Sequence, residues 1–284
     1  HGLKPRGFKK MEPVLTAIIT VGAIGLLAGI ILGVTAKIFY VHVDPRIGQV
    51  ADILPGANCG GCGYAGCTDL AAAIVQGNAP ANGCKAASDE LAQEIASMLG
   101  ISVDKQERQV AQIFCQGNAT AAGRKFVYMG IQDCRAAQEV SGGDKSCRYG
   151  CLGLGTCVRA CFFGALQMGP NGLPVVDTEL CTGCGSCAQI CPRHIPRLIP
   201  VSQKAATFCS SHDVGRAVKE VCTVGCLGDG LCKKVCPENA VTIDKFLSVV
   251  DPVKCTGCGL CFEKCIPGII QAVVLTRDSE KKAA

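Results

Sequence analysis

The 23 cysteines in this chain of 284 residues have spacings that indicate their chemistry. Two runs read C-x2-C-x2-C-x3-C, at Cys181, Cys184, Cys187, Cys191 and at Cys255, Cys258, Cys261, Cys265. Two-residue spacers in a tight loop present three thiolates to three corners of one iron–sulfur cube, and the fourth cysteine crosses to a second cube. Each run follows five more cysteines: Cys134, Cys147, Cys151, Cys157, Cys161, and then Cys209, Cys222, Cys226, Cys232, Cys236. The first five members of the two copies are offset by 75 positions and the last four by 74, so a nine-cysteine cassette occurs twice. A disulfide scaffold usually occupies a much shorter chain, and a four-cysteine zinc site usually pairs two C-x2-C knuckles. The clustered spacings favour iron–sulfur ligation.

The distal runs match the pattern of bacterial two-cluster ferredoxins. The proximal runs depart from it in the same way twice, because Leu154 and Asp229 stand where a second cysteine is expected. Cys147 and Cys222, four residues ahead of their runs, are read as the replacements. The expected sets are Cys147, Cys151, Cys157, Cys191 and Cys161, Cys181, Cys184, Cys187. In the second copy they are Cys222, Cys226, Cys232, Cys265 and Cys236, Cys255, Cys258, Cys261. Two alternatives stay open: Cys134 and Cys209 take the vacant corner, or the proximal sites hold three-iron clusters. Asp229 is a candidate carboxylate ligand, but Leu154 is not, and the symmetry of the copies argues against it.

A separate run, C-x2-C-x4-C-x16-C, covers Cys59, Cys62, Cys67 and Cys84 amid glycines that let the backbone wrap closely around a further [4Fe–4S] cluster. Five clusters account for twenty cysteines and leave Cys115, Cys134 and Cys209. These read as buried thiols, or as part of a sixth cluster with His212 a candidate fourth ligand.

The elements that position these residues are short. Helices are expected over Thr68–Gln76 and Ser88–Leu99, the latter with Ser88 as N-cap and Gly100 as its stop. The stretches L-Q-M-G-P-N-G-L-P-V-V-D and V-T-I-D-K-F-L-S-V-V-D read as hairpins, the first turning at Asn171-Gly172. Ahead of everything, Val14–Ala36 is a 23-residue uncharged stretch; at ~1.5 Å per residue it spans roughly 34 Å, enough for a hydrocarbon core of about 30 Å. Phe39 and Tyr40 follow as an interfacial belt. Residues 1–10 read as an extension outside the native product, with Met11 as the natural start. The anchor then runs with its C-terminal side in the cytoplasm. The net charge of +5 comes from this end, since the remaining 23 basic and 22 acidic residues nearly cancel. No basic stripe with interleaved aromatics exists, which excludes a nucleic-acid surface.

An N-terminal anchor, the Cys59–Cys84 run and downstream ferredoxin patterns together resemble the B subunit of the Rnf complex, a membrane ferredoxin:NAD oxidoreductase that moves Na⁺ or H⁺. The stretches C-R-Y-G-C-L-G-L-G-T-C-V-R-A-C and C-S-S-H-D-V-G-R-A-V-K look like its multi-cluster variant. The resemblance implies a single-pass protein of the inner (cytoplasmic) membrane, with its clusters on the cytoplasmic side. It also implies reduced ferredoxin as electron donor, and other complex subunits and the bilayer as partners. There is no P-loop, no helix-opening G-x-G-x-x-G and no nucleophile constellation, so no catalytic residue is expected and nicotinamide chemistry belongs to partners. The alternatives are a tethered polyferredoxin serving another dehydrogenase or a corrinoid-activating system, and a zinc protein. The expected class is α+β: anchor 14–38, Fe–S domain 43–100, connecting segment 101–133, and ferredoxin modules 134–200 and 209–275.

Overall fold

A computed structural model of the chain describes residues 12–39, 44–103 and 106–275. The readings of residues 1–10, Met11 and Tyr40 lie outside them. The chain divides at Pro45 into two compact units. The first is one helix, α1 (Glu12–Ile38), whose stretch Leu15–Ile38 has a mean hydropathy of 2.5 and is long and apolar enough to cross a membrane. Two of its threonines bond back to the helix: the Thr20 hydroxyl donates to the Thr16 carbonyl at 2.9 Å, and Thr35 donates to Ile31.

The second unit opens with α2 (Pro45–Ile53), α3 (Cys67–Val75) and α4 (Asp89–Leu99), packed around buried Val50, Leu54, Leu70, Ile74 and Ile95. Here the expectations for helices match within a residue or two. Ser88 Oγ accepts from the Leu91 amide, and Gly100 ends α4 in the left-handed region at φ +67°.

The cysteine-rich remainder alternates short strands and helices: β1 (Gln109–Ile113), α5 (Cys134–Glu139), α6 (Thr156–Arg159), β2 (Leu166–Met168), β3 (Pro174–Val176), α7 (Ser186–Ile190), β4 (Pro196–Pro200), β5 (Ala205–Thr207), α8 (Gly215–Val221), α9 (Leu231–Lys234), β6 (Val241–Asp244), β7 (Leu247–Val250), α10 (Leu260–Lys264) and β8 (Ile270–Ala272). The two expected hairpins are present as β2–β3 and β6–β7. Two long-range antiparallel pairs complete the set, β1–β4 and β5–β8. Strand β1 comes from the segment that reads as a connection, so that segment is structural.

The two long-range pairs are equivalent. The Phe114 amide, just past β1, donates to the Ile195 carbonyl at 3.0 Å; the Phe208 amide, just past β5, donates to Ile269 at 2.9 Å. Each phenylalanine is followed by a cysteine, Cys115 or Cys209. The phenyl rings meet at a centroid distance of 5.8 Å and join the two halves. Burial of apolar side chains is modest in each half, and thiols contribute to both cores, among them Cys157, Cys181 and Cys187 in one and Cys226, Cys232 and Cys261 in the other.

Candidate iron–sulfur sites

None of the 23 cysteines is in a disulfide. In the first domain Cys62, Cys67 and Cys84 share one neighbourhood on the core of α2–α4, and Cys59 lies in the same glycine-rich loop. The loop is held by Asn58, itself left-handed at φ +46°, whose Oδ1 accepts from the Cys67 amide at 2.8 Å and so caps α3.

The distal runs assemble with the expected crossing partners. Cys161, Cys181, Cys184 and Cys187 line one pocket. Cys255, Cys258 and Cys236 surround Cys261 closely enough to act on its charge. Gly185 and Gly259, both left-handed, let the chain turn from the C-x2-C loop directly into α7 and α10. Those helices then carry Cys191 and Cys265 away to the proximal sites, where the Ile195 and Ile269 amides donate to their sulfurs at 3.4 and 3.3 Å.

The proximal sites differ from the expected sets. In the first half Cys151, Cys157 and Cys191 line a pocket together with Cys134, not Cys147. Cys134 opens α5, capped by Asp133, and its amide donates to Thr156 Oγ1 at 2.7 Å, which ties it to α6 beside Cys157. In the second half Cys226, Cys232 and Cys265 line the corresponding pocket with Asp229, and Cys222 is absent from it.

The displaced residues meet elsewhere. Cys115, Cys147, Cys209 and Cys222 line a single pocket between the two halves. Two thiols come from each half, in matching positions: the Cys151 amide donates to Cys115 Sγ at 3.3 Å, and the Cys226 amide donates to Cys209 Sγ at 3.4 Å. Cys209 is therefore the counterpart of Cys115, and its offset of 75 from Cys134 is a coincidence of spacing. The signal that would have found this is the shared Phe-Cys dipeptide at the end of a short apolar strand. His212 does not line this pocket; its ring packs edge-on against Tyr149 at 5.7 Å.

These groups fit iron–sulfur clusters better than single ions. No three Cys, His, Asp or Glu side chains among the described residues converge tightly enough for one metal ion, although thiols ring four pockets of like size, 290 to 400 Å³ counting their mouths. Burial pushes the Cys151, Cys157 and Cys187 thiols up to about 12, and neighbouring sulfurs push further the same way. Crowded buried thiolates need a polycationic core to hold their charge. Lys145 supplies the one buried ammonium nearby, donating to the Gly117 and Cys151 carbonyls between the first proximal pocket and the shared one.

Comparison with known proteins agrees. The FeS family model, for an Fe–S cluster, matches residues 54–86, and the 4Fe-4S binding domain model matches residues 174–197. The chain is 42% identical over 251 residues to the B subunit of the ion-translocating oxidoreductase complex of Methanosarcina acetivorans, covering 88% of this chain and 95% of that one. It is also 42% identical to the B subunit of the proton-translocating ferredoxin:NAD(+) oxidoreductase complex of Clostridium ljungdahlii, over 96% of this chain and 97% of that one. This chain belongs to the family of Rnf B subunits. A further member, from Acetobacterium woodii, is named as the B subunit of a Na(+)-translocating ferredoxin:NAD(+) oxidoreductase complex and is 41% identical over 255 residues, 90% of this chain and 77% of that one. Membership makes this chain an electron-transfer subunit of such a complex.

Proposed function

We propose that this chain is the electron wire of an ion-translocating ferredoxin:NAD oxidoreductase, built as an Fe–S domain and two tandem ferredoxin-like modules that hold six clusters. One observation carries the reading: the thiol groups succeed one another without a gap. Gly61 in the Cys59–Cys62 loop packs on Cys184. Cys187, in the group with Cys184, lies near Cys157 of the first proximal group. The Cys151 amide bonds to Cys115, and the Cys226 amide to Cys209, which link the shared pocket to both proximal groups. Helices α9 and α10 lead on to Cys236, Cys255, Cys258 and Cys261. Each cluster, when bound, takes up and releases one electron.

The protein's part is to hold thiolates, exclude water and set each site's surroundings, which tune potential through hydrogen bonds, charge and exposure. Entry is assigned to the far end. Cys258 is the one exposed cysteine of the 23, and Val253 and Ile266, at the two ends of its run, are 93% and 77% exposed. Lys254 and Lys264, exposed and adjacent in sequence to the first and last cysteines of that run, suit this end of the chain to a small acidic donor such as reduced ferredoxin. Exit lies at the Cys59–Cys84 site, next in sequence to the membrane anchor, with the cluster-bearing unit on the cytoplasmic side.

Stopped-flow reduction of the full-length chain by reduced ferredoxin tests this. Lys254→Glu with Lys264→Glu should slow the bimolecular rate at low salt and leave it unchanged at high salt, as electrostatic steering requires. An unchanged rate at low salt would move the entry point elsewhere. Recovery of the native protein with a soluble dehydrogenase and no membrane partners would favour the tethered polyferredoxin reading.

A further inference from the structure

The two halves repair the same missing cysteine in different ways. Between Cys115 and Cys147 lie 31 residues; between their counterparts Cys209 and Cys222 lie 12. The longer stretch carries α5 and Cys134, which completes four thiols in the first half. The matching stretch of the second half carries α8 but no cysteine, and its counterpart pocket closes on three thiols, Cys226, Cys232 and Cys265, with Asp229. The symmetry that counted against Asp229 is therefore void, because Leu154 has Cys134 to replace it and Asp229 has nothing.

Asp229 also stands at the right point of the chain. It occupies the second position of C-x2-D-x2-C-x3-C, the place from which a cysteine would reach the corner of the same cube as Cys226 and Cys232. One carboxylate oxygen accepts from the Leu231 amide at 3.0 Å, which anchors the side chain across the start of α9. The other makes no hydrogen bond among the described residues. Ser248, a further polar group on this pocket, is already engaged: its Oγ lies 2.9 Å from Thr207 Oγ1 and 3.6 Å from Cys226 Sγ.

Resting on the cluster reading above, we propose that Asp229 holds the fourth iron of this one site, and that this iron is exchangeable. A carboxylate is a harder donor than a thiolate and binds iron of a sulfide core less firmly, and Asp229 is exposed where the other ligands are buried or half-buried. Release of Fe²⁺ from [4Fe–4S]²⁺ leaves [3Fe–4S]⁰, and loss of one electron to an external oxidant gives [3Fe–4S]⁺. Return takes one electron and one Fe²⁺. The site lies between the shared pocket and the exposed Cys258 group, so its iron content would set the potential of one step in the wire.

The test uses the full-length chain in detergent, oxidised anaerobically with ferricyanide and followed by EPR and iron content. The wild type should develop the signal of one oxidised three-iron cluster per chain and lose it with Fe²⁺ and dithionite. Asp229→Asn keeps the acceptor for the Leu231 amide but not the charge; it should hold one iron fewer than the wild type before oxidation, show the signal once oxidised, and take back no iron from added Fe²⁺. Asp229→Cys should never show it. A silent wild type, an Asn variant that takes iron back as the wild type does, or a Cys variant with an unchanged signal would overturn the proposal. Iron near four per site at the other five sites, about 20 in all, keeps the cluster reading standing in those cases; a chain with little iron would overturn both.

Discussion

Gly61 lies directly against Cys184: a Cβ at Gly61 would overlap the Cys184 carbonyl oxygen. That approach brings the Cys59–Cys84 loop onto the first distal loop, and no flexible side chain is there to give way. Gly61→Ala should therefore shift the Fe–S domain on its neighbour at a cost of about 1–3 kcal/mol of overpacking. The expected outcome is unchanged iron content, a lower urea midpoint, and slower reduction of the Cys59–Cys84 cluster than of the other sites in rapid-freeze EPR.

Cys147 and Cys222 share one pocket, which makes their substitutions non-additive. Cys147→Ala, Cys222→Ala and the double variant should each lose the same cluster, about four irons. If each belonged to the proximal run that follows it, the double variant would lose about eight. Iron and acid-labile sulfide analysis on the three proteins separates the outcomes. Cys134→Ala should remove a different cluster, additively with either of them.

Lys145 is 7% exposed and donates to the carbonyls of Gly117 and Cys151. Lys145→Met keeps most of the volume, removes the charge and leaves two carbonyls without that donor. A loss of about 1–3 kcal/mol is expected from the unsatisfied groups, read as a lower thermal midpoint. The potentials of the two adjoining clusters should fall, since a nearby cation favours the reduced, more negative state; EPR-monitored redox titration measures this.

Asp144 is almost fully buried and pairs with Arg124, whose side chain is 55% exposed. Arg124→Ala removes that partner from the carboxylate and leaves Arg193 as a nearby cation. Removing one partner of a fully buried pair costs about 3–5 kcal/mol; with Arg124 half in solvent and Arg193 still near, a loss of about 1–3 kcal/mol is expected, seen as a lower urea midpoint. Arg124→Lys should recover most of it.

Helix α1 forms a unit of its own up to Pro45. A chain beginning at Pro45 should partition into the soluble fraction and keep its full complement of iron, while the complete chain stays with membranes. Loss of iron on removing α1 would show that the anchor supports the cluster-bearing unit.

The local features were legible because short spacers determine local geometry. C-x2-C-x2-C loops, the Ser88 cap, the Gly100 stop, the Asn171-Gly172 hairpin and the apolar run of α1 each depend on residues within a few positions of one another. The sequence by itself determined that thiolates are grouped for clusters and that a helix suited to lipid precedes them. The tertiary structure alone decided which distant cysteine completes each group. Pairing β1 with β4 and β5 with β8 brings the Phe-Cys ends of β1 and β5 together, so that Cys115 and Cys209 line one pocket; Cys134 on α5 lines the pocket expected to take Cys147, and Asp229 lines one with three thiols. Strands of three to five residues carry too little periodicity to announce those partners, and equal offsets along the chain do not imply equal places in space.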